Sequence, residues 1–180
     1  MFAAKQFTLR RIAAAAVATA AFAAPSQALA AGCPNENANP NVIGAMAAKH
    51  ATLCLLNKER RAHGLRPLKL NHKLSVAARR HARSMARRNY FAHGNFVGRI
   101  RATRYFTGVR SWTVGENIAW GSWDYATPAS IHDGWMHSPK HRDNILSRAF
   151  REIGIGVAKG APVGGQRLGA TYATDFGARG

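Results

Sequence analysis

Between Val42 and His63, the apolar residues Val42, Ile43, Met46, Ala47, Leu53 and Leu56 recur at roughly helical intervals. Asn39-Pro40 offers an N-cap followed by proline at the first helical position, and Gly64 closes the run, so the pattern predicts a first helix over 42–63. A proline turn at Arg66-Pro67-Leu68 leads to a second cap residue, Asn71. The helix predicted from there to about Arg88 has two faces. Leu74, Ala77, Ala78, His81 and Met85 form the apolar one, on which His81 reads as a packed core histidine. Arg79, Arg80, Arg83, Arg87 and Arg88 form the other. From Tyr90 to Trp112 the pattern is irregular and contains glycine, which predicts a long surface loop carrying His93. Thr127-Pro128 starts a third helix reaching His137, and Ser138-Pro139 caps a short fourth one through Ile145. Two β-like runs follow, Ile153–Ala158 and Leu168–Phe176, split by Gly160-Ala161-Pro162-Val163-Gly164-Gly165; the second alternates almost strictly. Helices first and strands late in one chain predict an α+β layered domain.

The first thirty residues read differently. A basic start (Lys5, Arg10, Arg11) precedes an Ala-rich apolar run, Ile12–Ala24, and Ala28-Leu29-Ala30 fits a small-residue cleavage site. Residues 1–30 therefore read as a secretory signal peptide, the apolar run being shorter than the ~20 residues a spanning helix needs. No second apolar span follows, so no transmembrane segment is expected after cleavage. The mature chain of about 150 residues suits a single domain. It carries two cysteines, Cys33 and Cys54. In an oxidising compartment an even pair is most simply one disulfide, tethering the 31–41 segment to the first helix. The alternative is a lipid anchor at Cys33, because Leu29-Ala30-Ala31-Gly32-Cys33 loosely resembles a lipobox.

Charge adds a surface property and no partner. The whole chain carries a formal +18, and loss of Lys5, Arg10 and Arg11 with the signal lowers it to +15. Such a field favours anionic surfaces: phospholipid, wall polymers or nucleic acid. Cys/His finger spacings and any recognisable base-reading module are missing, and an exported protein seldom meets cytoplasmic nucleic acid, so no nucleic-acid partner is expected. The arginines of the second helix are equally consistent with a solvated outer face.

The candidate chemistry sits in three short stretches: Phe91-Ala92-His93, Gly115-Glu116-Asn117-Ile118, and Trp135-Met136-His137-Ser138-Pro139-Lys140-His141-Arg142. Two imidazoles and one carboxylate (His93, Glu116, His141) make a reasonable zinc set with an open fourth position for water. The same three residues are also what a hydrogen-bonded cluster tying loops together would use. His-Glu-x-x-His, Gly-x-Ser-x-Gly and a phosphate-binding loop are all absent. Asp133 and Asp143 read as helix-surface residues, so no paired cleft carboxylates are expected and glycoside hydrolysis is disfavoured.

These stretches belong to a longer ordered set. Leu56-Asn57-x-x-Arg60, Gly64-Leu65-x-Pro67-Leu68, Leu74-x-x-Ala77-Ala78-x-x-His81-Ala82 and Phe91-x-His93 are followed by Gly115-Glu116-Asn117-Ile118-Ala119. Then come Trp135-x-x-Ser138-x-x-His141-Arg142-x-Asn144-Ile145, Gly154-x-Gly156 and Tyr172-Ala173-Thr174-Asp175-Phe176-Gly177. In this order and spacing the chain resembles the CAP superfamily (cysteine-rich secretory proteins, antigen 5, pathogenesis-related 1) in its bacterial secreted form. The match runs from about Leu53 to Gly177 and makes 42–180 the CAP domain. The resemblance implies a three-layer α-β-α sandwich with a small antiparallel sheet and one large cleft. It implies that His93, Glu116 and His141 line that cleft, which in members with the full tetrad of two histidines and two acids can hold a divalent cation such as zinc. Where the animal and plant pattern has Trp-x-x-Glu, this chain has Trp135-x-x-Ser138, as bacterial members commonly do. A serine hydroxyl is a poor substitute for a carboxylate at a metal. Asn117 and Trp135 are read as supports, one positioning the Glu116 loop and the other packing the third helix on the sheet.

Two functions follow from these readings. The first is a secreted module that binds a lipid, peptide or anionic envelope polymer at the His/Glu cleft. The second is a weak metal-dependent, protease-like hydrolase with His93 and His141 as ligands and Glu116 as a further ligand or general base.

Overall fold

The computed structural model describes residues 32–180; the signal-peptide reading of residues 1–30 lies outside the described residues. The order of elements is α1 (Pro40–Ala62), β1 (Lys69–Leu70), α2 (His72–Arg88), α3 (Phe96–Ala102), β2 (Trp112–Gly121), a 3-10 turn (Trp123–Ala126), α4 (Pro128–Met136), α5 (Pro139–Leu146), β3 (Glu152–Lys159) and β4 (Ala170–Arg179). Among the described residues no helix is long and apolar enough to cross a membrane.

The caps act as expected. Asn39 accepts a bond from the Asn41 amide, Asn71 from the Leu74 amide and Thr127 from the Ser130 amide. Each satisfies an amide that the first helical turn leaves without a partner. The first helix is interrupted where the periodicity ran on: Gly44 has φ +82° and ψ 158°, a conformation open to glycine and strained for other residues.

The strands stack in the order β1-β3-β4-β2. β3 pairs with β4 and β4 with β2 in antiparallel register, but β1 runs parallel to β3, Lys69 opposite Glu152 and Leu70 opposite Ile153. The sheet is therefore mixed, which corrects the expectation of an antiparallel one. The cause is local: the chain leaving α1 passes β3 for only two residues before Asn71 caps α2. Strand β2 and helix α3 also escaped the sequence reading.

Alternation along β3 sorts the layers. Ile153, Ile155 and Val157 share a core with Leu56 of α1, Trp135 of α4 and Ile145 of α5. The opposite face carries Ala158, Ala173 and Ile118 against Ala78, Ala82 and Met85 of α2, with Ile100 of α3 and Tyr105 packed on Leu74 and Ala77. The result is the α-β-α, α+β sandwich expected from the resemblance. Gly154 and Gly156 let α2 lie directly on β3, since a Cβ there would come within 2.0 Å of Leu74 backbone carbon and 2.3 Å of Ala78 backbone carbon. Cys33 and Cys54 are disulfide-bonded, with 5.7 Å between their Cα atoms. The bond ties the segment before α1 to that helix and occupies the sulfur that a lipid anchor at Cys33 would need.

The candidate functional site

Glu116 is the centre of the site. It lies mid-way along β2 with Asp175 of β4 directly opposite in the ladder, and the side chains of both turn toward α2. Opposite residues of neighbouring strands project on the same side of the sheet, so two carboxylates share one buried space. Glu116 is 1% exposed in its side chain. One carboxylate oxygen, Oε1, is 2.9 Å from His93 Nδ1. The other, Oε2, accepts from Arg99 Nη2 at 2.5 Å and lies 3.8 Å from His81 Nε2. Arg99 also donates to the His93 carbonyl at 2.7 Å, so one guanidinium fixes both the acid and the loop that bears the histidine.

Arg99 reaches this position because Asn95 caps α3, its Oδ1 accepting from the Gly98 amide at 2.7 Å. A span read as irregular loop thus contains the helix that supplies the main counter-charge.

The charges nearly balance. One guanidinium neutralises one carboxylate, and the second carboxylate has no cation of its own. Asp175 is fully buried, and neither of its oxygens has a hydrogen-bond partner among the described residues. Burial, reinforced by the neighbouring Glu116 charge, raises its carboxyl well above the ordinary aspartate range. Two ionised carboxylates cannot hydrogen-bond one another; a proton on Asp175 would give the pair a donor. His81, 2% exposed, is held below the usual histidine range by burial, with the Glu116 charge opposing. It is the packed histidine that the helix pattern suggested and is also a neighbour of Glu116.

The other expected residues are arranged around this cluster. His141 lies at the first turn of α5. Burial and the nearby His93 lower its pKa, so the two histidines sense each other electrostatically without a hydrogen bond between them. Asn117 points to the opposite sheet face from Glu116. It donates to the His141 carbonyl at 3.0 Å and accepts from Asn144 at 2.8 Å, so it positions α5; Glu116 sits on a strand, with no loop for Asn117 to hold. Trp135 is 1% exposed and donates from its indole nitrogen to the Ile118 carbonyl at 3.2 Å, fastening α4 to β2. Ser138 occupies the N-cap of α5 and makes no side-chain capping bond.

As placed, these residues do not form a metal-ligand set. Among the described residues, no group of three or more His, Cys, Asp or Glu is disposed to hold a metal ion. The physical reason lies in Arg99, whose charge already neutralises the carboxylate a cation would seek. What reaches solvent is a shallow wall of His93, half-exposed in its side chain, with Tyr90 and Phe91 beside it at 36% and 44% exposure.

Sequence reasoning missed Arg99 and the pairing of Glu116 with Asp175, a buried pair and not the cleft-lining one that was considered. A signal was present for the aspartate. Asp175 shares its alternation phase with Ala173, on a strand whose two faces are both buried.

The chain's relatives share this architecture. The sequence profile of the cysteine-rich secretory protein family (CAP) matches residues 53–173. The uncharacterised protein YkwD of Bacillus subtilis is 35% identical over 116 residues, which is 63% of this chain and 44% of that protein. The chain spans less than half the length of the curated relatives it matches. An extracellular protein from Bacillus anthracis containing an SCP domain superposes with a TM-score of 0.60 at 25% identity, covering 74% of this chain and 41% of that one. A cysteine-rich secretory protein from Staphylococcus aureus gives a TM-score of 0.57 at 22% identity over 75% of this chain and 39% of its own, a likeness of fold. The chain belongs to the CAP, or cysteine-rich secretory protein, family.

Proposed function

We propose that this chain is a secreted binding module whose cleft wall, formed by His93, His141 and Arg99, recognises an acceptor-rich extracellular ligand. Candidate ligands are a lipid headgroup, a peptide carboxylate or an anionic envelope polymer. One observation carries the reading: both oxygens of Glu116 are engaged, by His93 and by Arg99, so the site offers donors outward and keeps its acids within. The formal charge, +18 for the whole chain and +15 once Lys5, Arg10 and Arg11 leave with the leader, supports the choice of an anionic partner by drawing it toward the protein at low ionic strength. Support for secretion comes from the leader-like first thirty residues and from the extracellular Bacillus anthracis relative.

The hydrolase reading asks more of the site. Glu116 would have to release Arg99 before acting as a base. A divalent cation would need the same displacement.

Retention of the purified chain on anionic cell-envelope fractions, titrated with salt, tests the proposal. Retention at low salt that fades with rising ionic strength and weakens in the His93→Ala, His141→Ala double variant is the expected result. Equal retention of the double variant would remove the cleft from the binding, and no retention at any salt would remove the proposal.

A further inference from the structure

The outward face of α2 is a row of arginines that nothing in the fold balances. Arg79, Arg80, Arg83, Arg87 and Arg88 are all exposed, while Leu74, Ala78 and Met85 of the same helix are buried. Arg80, Arg83, Arg87 and Arg88 converge with Ser84 on a shallow hollow of about 370 Å³. The Tyr90 hydroxyl donates to Ser84 Oγ at 2.9 Å, so the Ser84 hydroxyl keeps its own proton to give. Every side chain lining the hollow is therefore a donor, and all but Ser84 carry a permanent positive charge.

Acids are kept away from this face. From Arg60 to Gly115 the chain contains no Asp or Glu. Among the described residues none of the arginines on this face forms an ion pair. Other helices pair their surface charges: Glu59 meets His63 on α1 and Asp133 meets His137 on α4, each at 3.3 Å and one turn apart. Helix α2 does the opposite. Arg79 and Arg83, and again Arg83 and Arg87, set like charges four residues apart, a spacing that destabilises a helix. Burial and the Arg79 charge together lower the ammonium of Lys49 on α1, with no acid to offset them. A helix face serving only solvent mixes its signs, whereas this one leaves a repulsion that a bound anion relieves.

We propose that this face of α2 binds a linear polyol-phosphate polymer, its successive phosphodiesters lying along Arg80, Arg83 and Arg87. These charges recur once per helical turn, about 5.4 Å along the axis, which suits a chain with an anion in every repeat. The planar guanidinium fork takes phosphate oxygens two at a time. Nucleic acid fits less well, because single strands are held by bases stacked on aromatic rings and no aromatic side chain lines the hollow. A bilayer would ask for apolar side chains beside the charges, and the lining has none. The inference does not rest on the cleft reading, and the variants below separate the two.

Fluorescence anisotropy of a labelled glycerol phosphate oligomer, with polyglutamate and oligothymidylate of matched charge as competitors, tests it. Binding is expected to weaken with salt and to fall roughly tenfold or more in an Arg80→Gln, Arg83→Gln, Arg87→Gln variant. The slope of log affinity against log salt is expected to flatten by about two, since each lost phosphate contact is a counter-ion no longer released. An Arg61→Gln, Arg66→Gln, Arg148→Gln variant removes the same charge from exposed positions on and after α1 and α5. It is expected to bind within about twofold of the parent, because distant exposed charges are screened. The His93→Ala, His141→Ala variant is expected to bind as the parent does. The α2 variant is expected to melt no lower than the parent, as it relieves like-charge repulsion, so its lost binding is not lost fold. Equal losses in the two arginine variants would reduce the effect to net charge and overturn the proposal. A lower Tm in the α2 variant would overturn it by making those arginines structural. Equal or better competition by polyglutamate or oligothymidylate would overturn the choice of polymer, and loss confined to the histidine variant would move the polymer to the cleft.

Discussion

At the scale of single residues, the interior acid pair sets how this protein responds to pH. A buried Asp175 whose carboxyl is raised above its unfolded value holds its proton more tightly folded than unfolded. Between the unfolded value, near 4, and the raised folded one, the native state binds more protons, so stability falls as pH rises through that window. Below the window the term vanishes. Asp175→Asn keeps the shape and supplies a permanent N–H donor toward Glu116. We expect a higher Tm at pH 7 and a flatter stability profile from pH 4 upward, both measured by thermal melts across pH. An unchanged profile would mean that Asp175 is not the group that titrates. Much of this chemistry was illegible in the sequence. Glu116 and His93 stood out through the family resemblance, but an arginine in a span without visible periodicity has no local feature to connect it with an acid 17 residues away. Asp175 looked like one polar position in an alternating strand until β2 and β4 were set side by side.

Among the elements, close approach of α2 to the sheet positions everything on that face, including His81. The enabling feature is the Gly154-x-Gly156 spacing, which removes two side chains facing the helix. Gly156→Ala places a Cβ 2.3 Å from the Ala78 backbone carbon, so helix and strand must separate or the strand must bend. Overpacking of this kind costs about 1–3 kcal/mol and here more than a flexible neighbour would allow, because the obstacle is backbone. Denaturant unfolding of Gly156→Ala should show a lower midpoint with an unchanged slope; an equal midpoint would mean that α2 rides higher than described. Elements with end signals were the legible ones: the caps at Asn39, Asn71 and Thr127, with a proline after the first and the last, located α1, α2 and α4. Strand β2 was not, because Trp112–Gly121 mixes a carboxylate, an amide and glycines into a run that is buried for tertiary reasons. The parallel pairing of β1 was equally hidden, since a two-residue strand has no period.

For the whole molecule, a basic surface encloses a domain tied at its start by one disulfide. Closing a loop of 21 positions stabilises by about 3 kcal/mol, chiefly by restricting the unfolded chain. The fold class, the order of helices before the last two strands and the Cys33–Cys54 bond were all readable from the chain. The arrangement of the site was not: a cleft wall with its donors outward and its acids turned inward. Arg99 and His93 engage Glu116, leaving a donor surface where the resemblance implied a metal centre. Zinc titration by calorimetry on the purified chain at neutral pH, with the His93→Ala, His141→Ala variant alongside, distinguishes the two arrangements. No stoichiometric binding at micromolar zinc is expected, with the same baseline for both proteins. Micromolar or tighter binding that disappears in the variant would contradict the donor surface, and would mean that Arg99 yields its place to the metal.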